Sequence, residues 1–398
     1  MNDIPSTNRM KILYSLPAVL VSGGVVHFLQ VAKRLAERGH RVTIQAPIIE
    51  NLDVLPPLPD AVRVESIPGV TSNLYTLPSE KNLVGFIKAL KDLTLGRKAI
   101  GRAIPLDTDI VHAGFHPNAL AAVEARNRGW WRGRIIQAVH MDPVTFLPES
   151  YKRRYAWLFA KTVSKVDHIL TVCDPLEEKL ARYGTPITNV RNGIDLIFLD
   201  TPIPHASARE RGQYIYYCGA IGRRKGIDIL LEAFAKLLPK FPDLQLKLSG
   251  RGSWDSYYKG YADNLGILNH VDYLGVVPLS QMVDLMDQCS VFAFPSWSEG
   301  FGLPPLEAMA RGCAVVTTEN DGTAQYVRGG ENCLLVSPGS ATELSAAIVR
   351  LLEDSQLCSS LGKAGIETAS QYTWESVTDL TEQVMMSEME IAASRIPR

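Results

Sequence analysis

The chain has 398 residues, 46% hydrophobic and 21% charged, with a formal net charge of −1. At roughly 100–200 residues per domain the length predicts two or three domains, and the composition excludes a disordered or collagen-like chain. No apolar run approaches the ~20 residues of a membrane-spanning helix, and Met1-Asn2-Asp3-Ile4-Pro5 does not open as a secretory signal.

Residues 10–48 predict strand, helix, strand. Lys11–Ser15 is a short apolar run and Ser22-Gly23-Gly24 a turn; Val25, Val26, Leu29, Ala32 and Leu35 then recur at helical spacing until Gly39. His40–Ile44 is the next strand. Further strands are expected at Ile110–Ala113, Ile135–His140, Ile169–Val172 and Thr188–Arg191, with helical patterns between them. Alternating β and α elements predict a doubly wound parallel sheet. The pattern lapses between Asn192 and Gln213, where Pro202, Pro204 and Ser207 mark a linker.

A second series follows. Its strands are Tyr214–Cys218, Gln245–Ser249, Val271–Leu274, Val291–Pro295, Ala314–Thr317 and Leu334–Val336. Its helices are Ile227–Leu238, Gln281–Gln288, Pro304–Arg311 and Ala341–Glu353. One architecture is used twice, without a sequence repeat. The expected domains are 1–205 and 206–375, with 376–398 a helix and tail that packs back on the first domain. The six cysteines lie 20 or more positions apart, a spacing without a zinc, redox or disulfide pattern; buried, reduced thiols in a cytoplasmic protein are expected.

The most informative segment runs from Phe294 through Glu299, Gly302 and Glu307 to Gly312. A strand ends in a glycine-containing loop, and a helix begins at Leu303-Pro304, where proline is well tolerated. Such a helix start attracts phosphate through its dipole and free amides. Pro304 and Pro305 lack an N–H, so the donors are Phe301, Gly302 and Leu303. Glu299 precedes the helix and Glu307 lies about one turn inside it. The two carboxylates are placed to reach opposite ends of a ligand whose middle is a diphosphate, one suited to sugar hydroxyls and the other to ribose.

This segment resembles the signature of glycosyltransferase family 4, the retaining nucleotide-sugar enzymes of GT-B fold, whose two glutamates stand eight apart. The likeness covers roughly residues 10–375. It includes Gly23-Gly24 with a helix ending at Gly39-His40, the run Val190–Asp195, Lys225-Gly226 before a long helix, and Ser249-Gly250-Arg251-Gly252. It also includes Leu274-Gly275-Val276-Val277-Pro278 and the run Gly330–Val336. The resemblance implies two Rossmann-like domains facing a central cleft, with donor contacts at Gly23, Gly24, Gly250, Val276, Glu299, Gly300, Phe301, Gly302, Leu303 and Glu307. The implied catalytic residues are His140, Lys225 and Glu299. His140 ends a strand and matches the family's N-domain histidine that faces the sugar; a core or rim histidine is the plain alternative, which fits His112 and His116 better.

In the family a lysine, matched by Lys225, and an arginine five positions earlier neutralise the donor diphosphate. Ala220 occupies the arginine position, so Arg223 or Arg224 is the expected replacement. Gln325 is a second departure, standing where family members carry glutamate. The resemblance implies front-face transfer, with the leaving phosphate helping to deprotonate the acceptor hydroxyl, and no metal or other cofactor. Asp107-Thr108-Asp109 has the spacing of a metal-binding pair, yet the apolar strand follows it, so the aspartates stand at the wrong end. Ser22-Gly23-Gly24 is not a dinucleotide fingerprint, and Gln45-Ala46 ends the next strand without an acidic ribose partner. Two rivals are a nucleotide-sugar 2-epimerase of the same fold and a non-catalytic nucleotide-sugar-binding scaffold.

The charge is unevenly distributed. Residues 1–205 carry 25 Lys+Arg against 19 Asp+Glu, and residues 206–398 carry 16 against 23. That excess is too small to argue for nucleic acid, but it is concentrated in Lys81, Lys88, Lys91, Arg97, Lys98 and Arg102, interleaved with apolar residues. An interfacial helix over 81–105, a peripheral contact with the inner membrane face and an anionic or lipid-linked acceptor form one expectation; a solvated helix face is the other.

Overall fold

The computed structural model describes residues 9–19, 23–50, 58–68, 70, 95–142, 149–200, 212–252 and 257–394. The chain forms two compact units, residues 1–191 with 374–398, and residues 192–373.

Unit 1 is built on β1 (Lys11–Ser15), β2 (Arg41–Ala46), β3 (Val62–Ser66), β4 (Ile110–Ala113), β5 (Arg134–Val139), β6 (His168–Thr171) and β7 (Ile187–Asn189). They pair in the order β3-β2-β1-β4-β5-β6-β7, all parallel. The central strands are buried on both faces, as a parallel sheet covered by crossover helices requires. The strand β3 is an addition to the expected set. It forms a sheet edge whose side chains are mostly exposed, so only Val62 and Val64 carry the apolar alternation. Gly23 and Gly24 belong to the first turn of the Gly23–Glu37 helix instead of a turn before it.

The Trp374–Ser394 helix belongs to unit 1 and shares its core. Trp374, Val377 and Met385 pack into the cluster that holds Phe28, Leu29, Ala32 and Leu35 of the Gly23–Glu37 helix. Charge pairs frame this apolar seam. Arg38 meets Glu375, Asp379 and Glu382. His40 Nδ1 accepts from the Met10 amide at 3.1 Å, which leaves Nε2–H to donate to Glu382 at 2.7 Å. Further along, Glu388 meets Arg134 and His168.

Unit 2 contains β8 (Tyr214–Cys218), β9 (Gln245–Ser249), β10 (Val271–Gly275), β11 (Val291–Phe294), β12 (Val315–Thr318) and β13 (Leu334–Val336). Their order is β10-β9-β8-β11-β12-β13, again all parallel. The crossover helices Ile227–Leu237, Leu279–Gln288, Leu303–Ala310 and Ala341–Glu353 lie where the 3.6-residue periodicity predicts them. The Ser355–Ala369 helix is a further element. Its buried stripe is Cys358, Leu361, Gly362, Gly365 and Ala369, mostly small residues that leave only a faint hydrophobic period. All six cysteines are free thiols, five of them buried.

Each sheet reverses its strand order once, at β1/β4 and at β8/β11. Open α/β sheets bind ligands at the carboxyl ends of the strands beside such a reversal.

Candidate active site

In unit 2 the reversal point is occupied by the residues the sequence singles out. The chain leaves β8, makes one 3₁₀ turn over Arg223–Lys225 and enters the Ile227–Leu237 helix through Gly226. Gly226 has φ +69°, and a Cβ there would stand 2.1 Å from the Pro295 carbonyl oxygen. Only glycine lets this turn lie directly on the end of β11. Gly250, with φ +139°, holds the neighbouring loop equally close, since its Cβ would stand 1.7 Å from the Gly219 carbonyl oxygen.

That close apposition brings Lys225 to Glu299. The Lys225 Nζ donates to Glu299 Oε1 at 2.5 Å and Oε2 at 2.7 Å. Ser296, three residues earlier, donates its hydroxyl to Oε1 at 2.5 Å. The Arg224 Nη1 lies 4.0 Å from Oε2 and donates to the Ser298 carbonyl at 2.6 Å. Glu299 is 8% exposed. Burial lowers the pKa of the Lys225 ammonium, and Glu299 pulls in the opposite direction. Arg223 is exposed and Ala220, which has no charge to offer, is exposed as well. Of the two candidate replacements for the missing arginine, Arg224 is therefore the one that reaches the Glu299 loop. Val276 follows β10 and is 55% exposed.

The Leu303–Ala310 helix starts beside this ion pair. The Phe301 ring turns inward against Tyr326 and Tyr372, with centroids 5.6 and 5.8 Å away. The Tyr326 hydroxyl donates to the Gly302 carbonyl. Both contacts fix the backbone of the loop while the amides of Phe301 and Gly302 make no hydrogen bond among the described residues. These amides lie at the positive end of a helix.

Glu307, one turn inside, is half-buried and its carboxylate makes no hydrogen bond among the described residues. Burial first, and the charge of Asp195 second, push its pKa up to about 8. The folded value lies above the unfolded one, so the folded protein holds this proton and loses stability as pH rises from about 4.3 towards 8. Glu307→Gln removes that penalty. It is expected to raise Tm at pH 8 by roughly 5 °C and to leave Tm at pH 4 unchanged, measured by calorimetry on the unliganded protein.

In unit 1 the residues at the reversal point are aromatic and imidazole. The half-buried His140 ring stacks on Phe28 at 5.0 Å and meets His27 edge-on at 4.5 Å. A Cβ on Gly24 would stand 3.7 Å from His140 Nδ1, so the start of the Gly23–Glu37 helix lies against this ring. Burial, then the charges of His27 and His112, hold the His140 pKa well below its ordinary value. His140 is thus a neutral imidazole at physiological pH. His112 and His116 are buried, with pKa values lowered by burial to about 3 and about 4. Sequence reasoning misses His27, Phe28 and Ser296, because a single polar or aromatic residue at helical or loop spacing carries no signal of its own.

Asp109 accepts from the Lys11 amide at 2.7 Å, and Asp107 pairs with the Lys11 ammonium at 2.8 Å; both precede β4, at the amino end of the sheet. Lys81, Lys88 and Lys91 lie outside the described residues. Arg97, Lys98 and Arg102 fall on a helical segment at 95–102, where the Arg102 guanidinium sits 5.0 Å above the Trp130 ring. Among the described residues no helix is long and apolar enough to cross a membrane.

Comparison with known proteins fits this chain to a family. The family Glycosyltransferase Family 4 matches residues 21–198, and Glycosyl transferases group 1 matches residues 203–368. A phosphatidyl-myo-inositol mannosyltransferase of Mycolicibacterium smegmatis is 28% identical over 368 residues, 90% of this chain and 88% of its own. A glycogen synthase of Mycobacterium tuberculosis is 22% identical over 405 residues, 95% of this chain and 94% of its own. Sucrose-phosphate synthase from Thermosynechococcus elongatus has the same fold, with a TM-score of 0.77 at 21% identity over 97% of this chain and 100% of its own. Anabaena Alr3699/HepE in complex with UDP and glucose gives a TM-score of 0.73 at 19% identity over 95% and 100% of the two chains.

Two all-parallel α/β units with these successive matches define a GT-B glycosyltransferase. The chain belongs to glycosyltransferase family 4, and its activity is nucleotide-sugar-dependent glycosyl transfer.

Proposed function

We propose that unit 2 holds the nucleotide-sugar, that the sugar is transferred with retention, and that no metal takes part. The observation that carries this reading is the convergence at the β8/β11 reversal of Lys225, Glu299, the amides of 301 and 302, and Glu307 one turn further on. A lysine and amide donors suit a diphosphate, and a carboxyl group on either side, charged at Glu299 and protonated at Glu307, suits hydroxyls. Glu307 is assigned to the ribose, Glu299 to the sugar, and Gly250 and Val276 to the loops that receive the nucleotide. Alr3699/HepE, of the same fold, is known in complex with UDP and with UDP-glucose, which supports a nucleotide-sugar as the donor.

In the reaction the bond from the anomeric carbon to the diphosphate oxygen breaks, and the acceptor oxygen bonds the same face of the sugar. The acceptor proton passes to the departing phosphate, so a nucleoside diphosphate leaves. Negative charge grows on that diphosphate, and Lys225, Arg224 and the amides of 301–303 are placed to stabilise it. His140, as a neutral imidazole, hydrogen-bonds a sugar hydroxyl and does not act as an acid. Unit 1 receives the acceptor. The basic excess of residues 1–205 supports an anionic or lipid-linked one, as does the relative named phosphatidyl-myo-inositol mannosyltransferase.

Calorimetry with nucleoside diphosphates tests the donor assignment. Glu307→Ala is expected to weaken binding about tenfold, or about 1.4 kcal/mol, whereas Glu299→Ala is not expected to weaken it. Equal affinities in the two variants would take Glu307 off the ribose.

Metal independence rests on the donor set. The charge partner of the diphosphate is a lysine, and the one aspartate pair with metal-like spacing is tied to Lys11 at the amino end of β4. Turnover is expected to persist in excess chelator. Loss on chelation with recovery on adding magnesium or manganese would overturn this assignment.

A further inference from the structure

The Lys225–Glu299 pair raises a question about order of events. In the structure the two groups assigned to the diphosphate and to the sugar satisfy each other. The ammonium donates to both carboxylate oxygens, at 2.5 and 2.7 Å, and the two side chains are only 12% and 8% exposed. Among the described residues the other partners of Glu299 are the Ser296 hydroxyl at 2.5 Å and, more distantly, the Arg224 guanidinium at 4.0 Å. One ammonium is a point charge with three N–H groups and cannot chelate a carboxylate and serve a diphosphate equally well. A diphosphate that draws Lys225 away leaves a buried carboxylate with one hydroxyl donor and a guanidinium at 4.0 Å that the diphosphate also attracts, beside new negative charge, which is unfavourable in a water-poor site.

We propose that this ion pair is a donor-operated latch: the diphosphate takes Lys225, and the transferred sugar must supply the hydroxyl donors that replace Lys225 on Glu299. The inference rests on the donor assignment above. A nucleotide-sugar satisfies both halves of the latch, whereas a nucleoside diphosphate satisfies only one. Glu299 therefore favours the sugar-bearing donor by penalising the bare diphosphate. After transfer, the sugar hydroxyls leave with the acceptor, Lys225 returns to Glu299, and the nucleoside diphosphate loses its cation. The latch selects substrate over product and speeds product release.

The sign of one substitution distinguishes this from an ordinary contact. Glu299→Gln keeps the shape and removes the charge, so Lys225 is free for phosphate. Titration calorimetry is run with UDP, GDP and ADP and then with UDP-glucose, GDP-mannose and ADP-glucose, on wild type, Glu299→Gln and Lys225→Met. In Glu299→Gln the preferred nucleoside diphosphate is expected to bind about tenfold more tightly than in wild type, and the preference for the sugar nucleotide over it to shrink towards one. Lys225→Met is expected to weaken both ligands.

If Lys225→Met weakens binding while Glu299→Gln leaves the diphosphate unchanged or weaker, the latch is wrong and the donor assignment stands. If neither variant changes any affinity, or if wild type binds none of the six compounds, the donor assignment itself fails. Should Glu299→Gln not fold, Ser296→Ala gives the opposite test. It removes the other donor to Glu299, so the carboxylate leans harder on Lys225 and the diphosphate is expected to bind more weakly; tighter binding would overturn the latch.

Discussion

Lys225→Ala is expected to lower kcat about 10²-fold at saturating donor. The side chain is one of few cations at the β8/β11 reversal, and it is held there by the Gly226 turn and by both oxygens of Glu299. Its value is greatest when the diphosphate departs, because charge on the leaving oxygens increases at that moment and the burial of the site limits solvent screening. Removing one preorganised donor of developing negative charge typically costs roughly 3 kcal/mol in the transition state, hence the hundredfold estimate. A melting curve controls for the buried Glu299 that the variant leaves with the Ser296 hydroxyl. A folded Lys225→Ala protein with near-normal turnover would remove Lys225 from the chemistry.

The second large effect concerns stability. Asp287→Ala is expected to destabilise the protein by about 3–5 kcal/mol, which corresponds to a Tm lower by roughly 10 °C for a domain of this size. Asp287 on the Leu279–Gln288 helix meets Arg311 in a two-point pair, Nε to Oδ1 and Nη2 to Oδ2, each at 2.8 Å. The Arg311 side chain is fully buried, and its Nη1 also donates to the Phe198 carbonyl at 3.3 Å. Loss of the carboxylate removes the two-point charge partner of a guanidinium held in the interior. Arg311 ends the helix that carries Glu307, so nucleotide affinity is expected to fall along with Tm. Scanning calorimetry checks the first effect, and a Tm within 2 °C of wild type, or about 1 kcal/mol or less, would contradict the account of this pair.

The residues differ in how plainly the sequence displays them. The strand–loop–helix around Glu299 and Glu307 is legible because Leu303-Pro304-Pro305 marks a helix start and the apolar run Val291–Phe294 marks the strand before it. The importance of Lys225 is legible only through resemblance. Its bond to Glu299 spans 74 positions and exists because β8 and β11 are neighbours, a fact of sheet order that local periodicity does not encode. Similarly, whether Arg223 or Arg224 approaches Glu299 depends on a single 3₁₀ turn, too short to leave a pattern. The His27, Phe28 and His140 group comes from a helix and a strand far apart in sequence, and only His140 stands at a strand end where sequence alone points to a ligand. The edge strand β3 and the small-residue Ser355–Ala369 helix escape for the opposite reason, since neither presents a strong apolar period.

We place the nucleotide-sugar in the Lys225–Glu299–Glu307 region of unit 2. A crystal structure of the protein with its preferred sugar nucleotide tests this placement most directly. The diphosphate is expected against Lys225 and the amides of Phe301 and Gly302, the ribose hydroxyls on Glu307, and the sugar hydroxyls on Glu299 with the Lys225–Glu299 pair opened. A nucleotide bound elsewhere, or bound here with Glu307 unengaged and the ion pair intact, would contradict it.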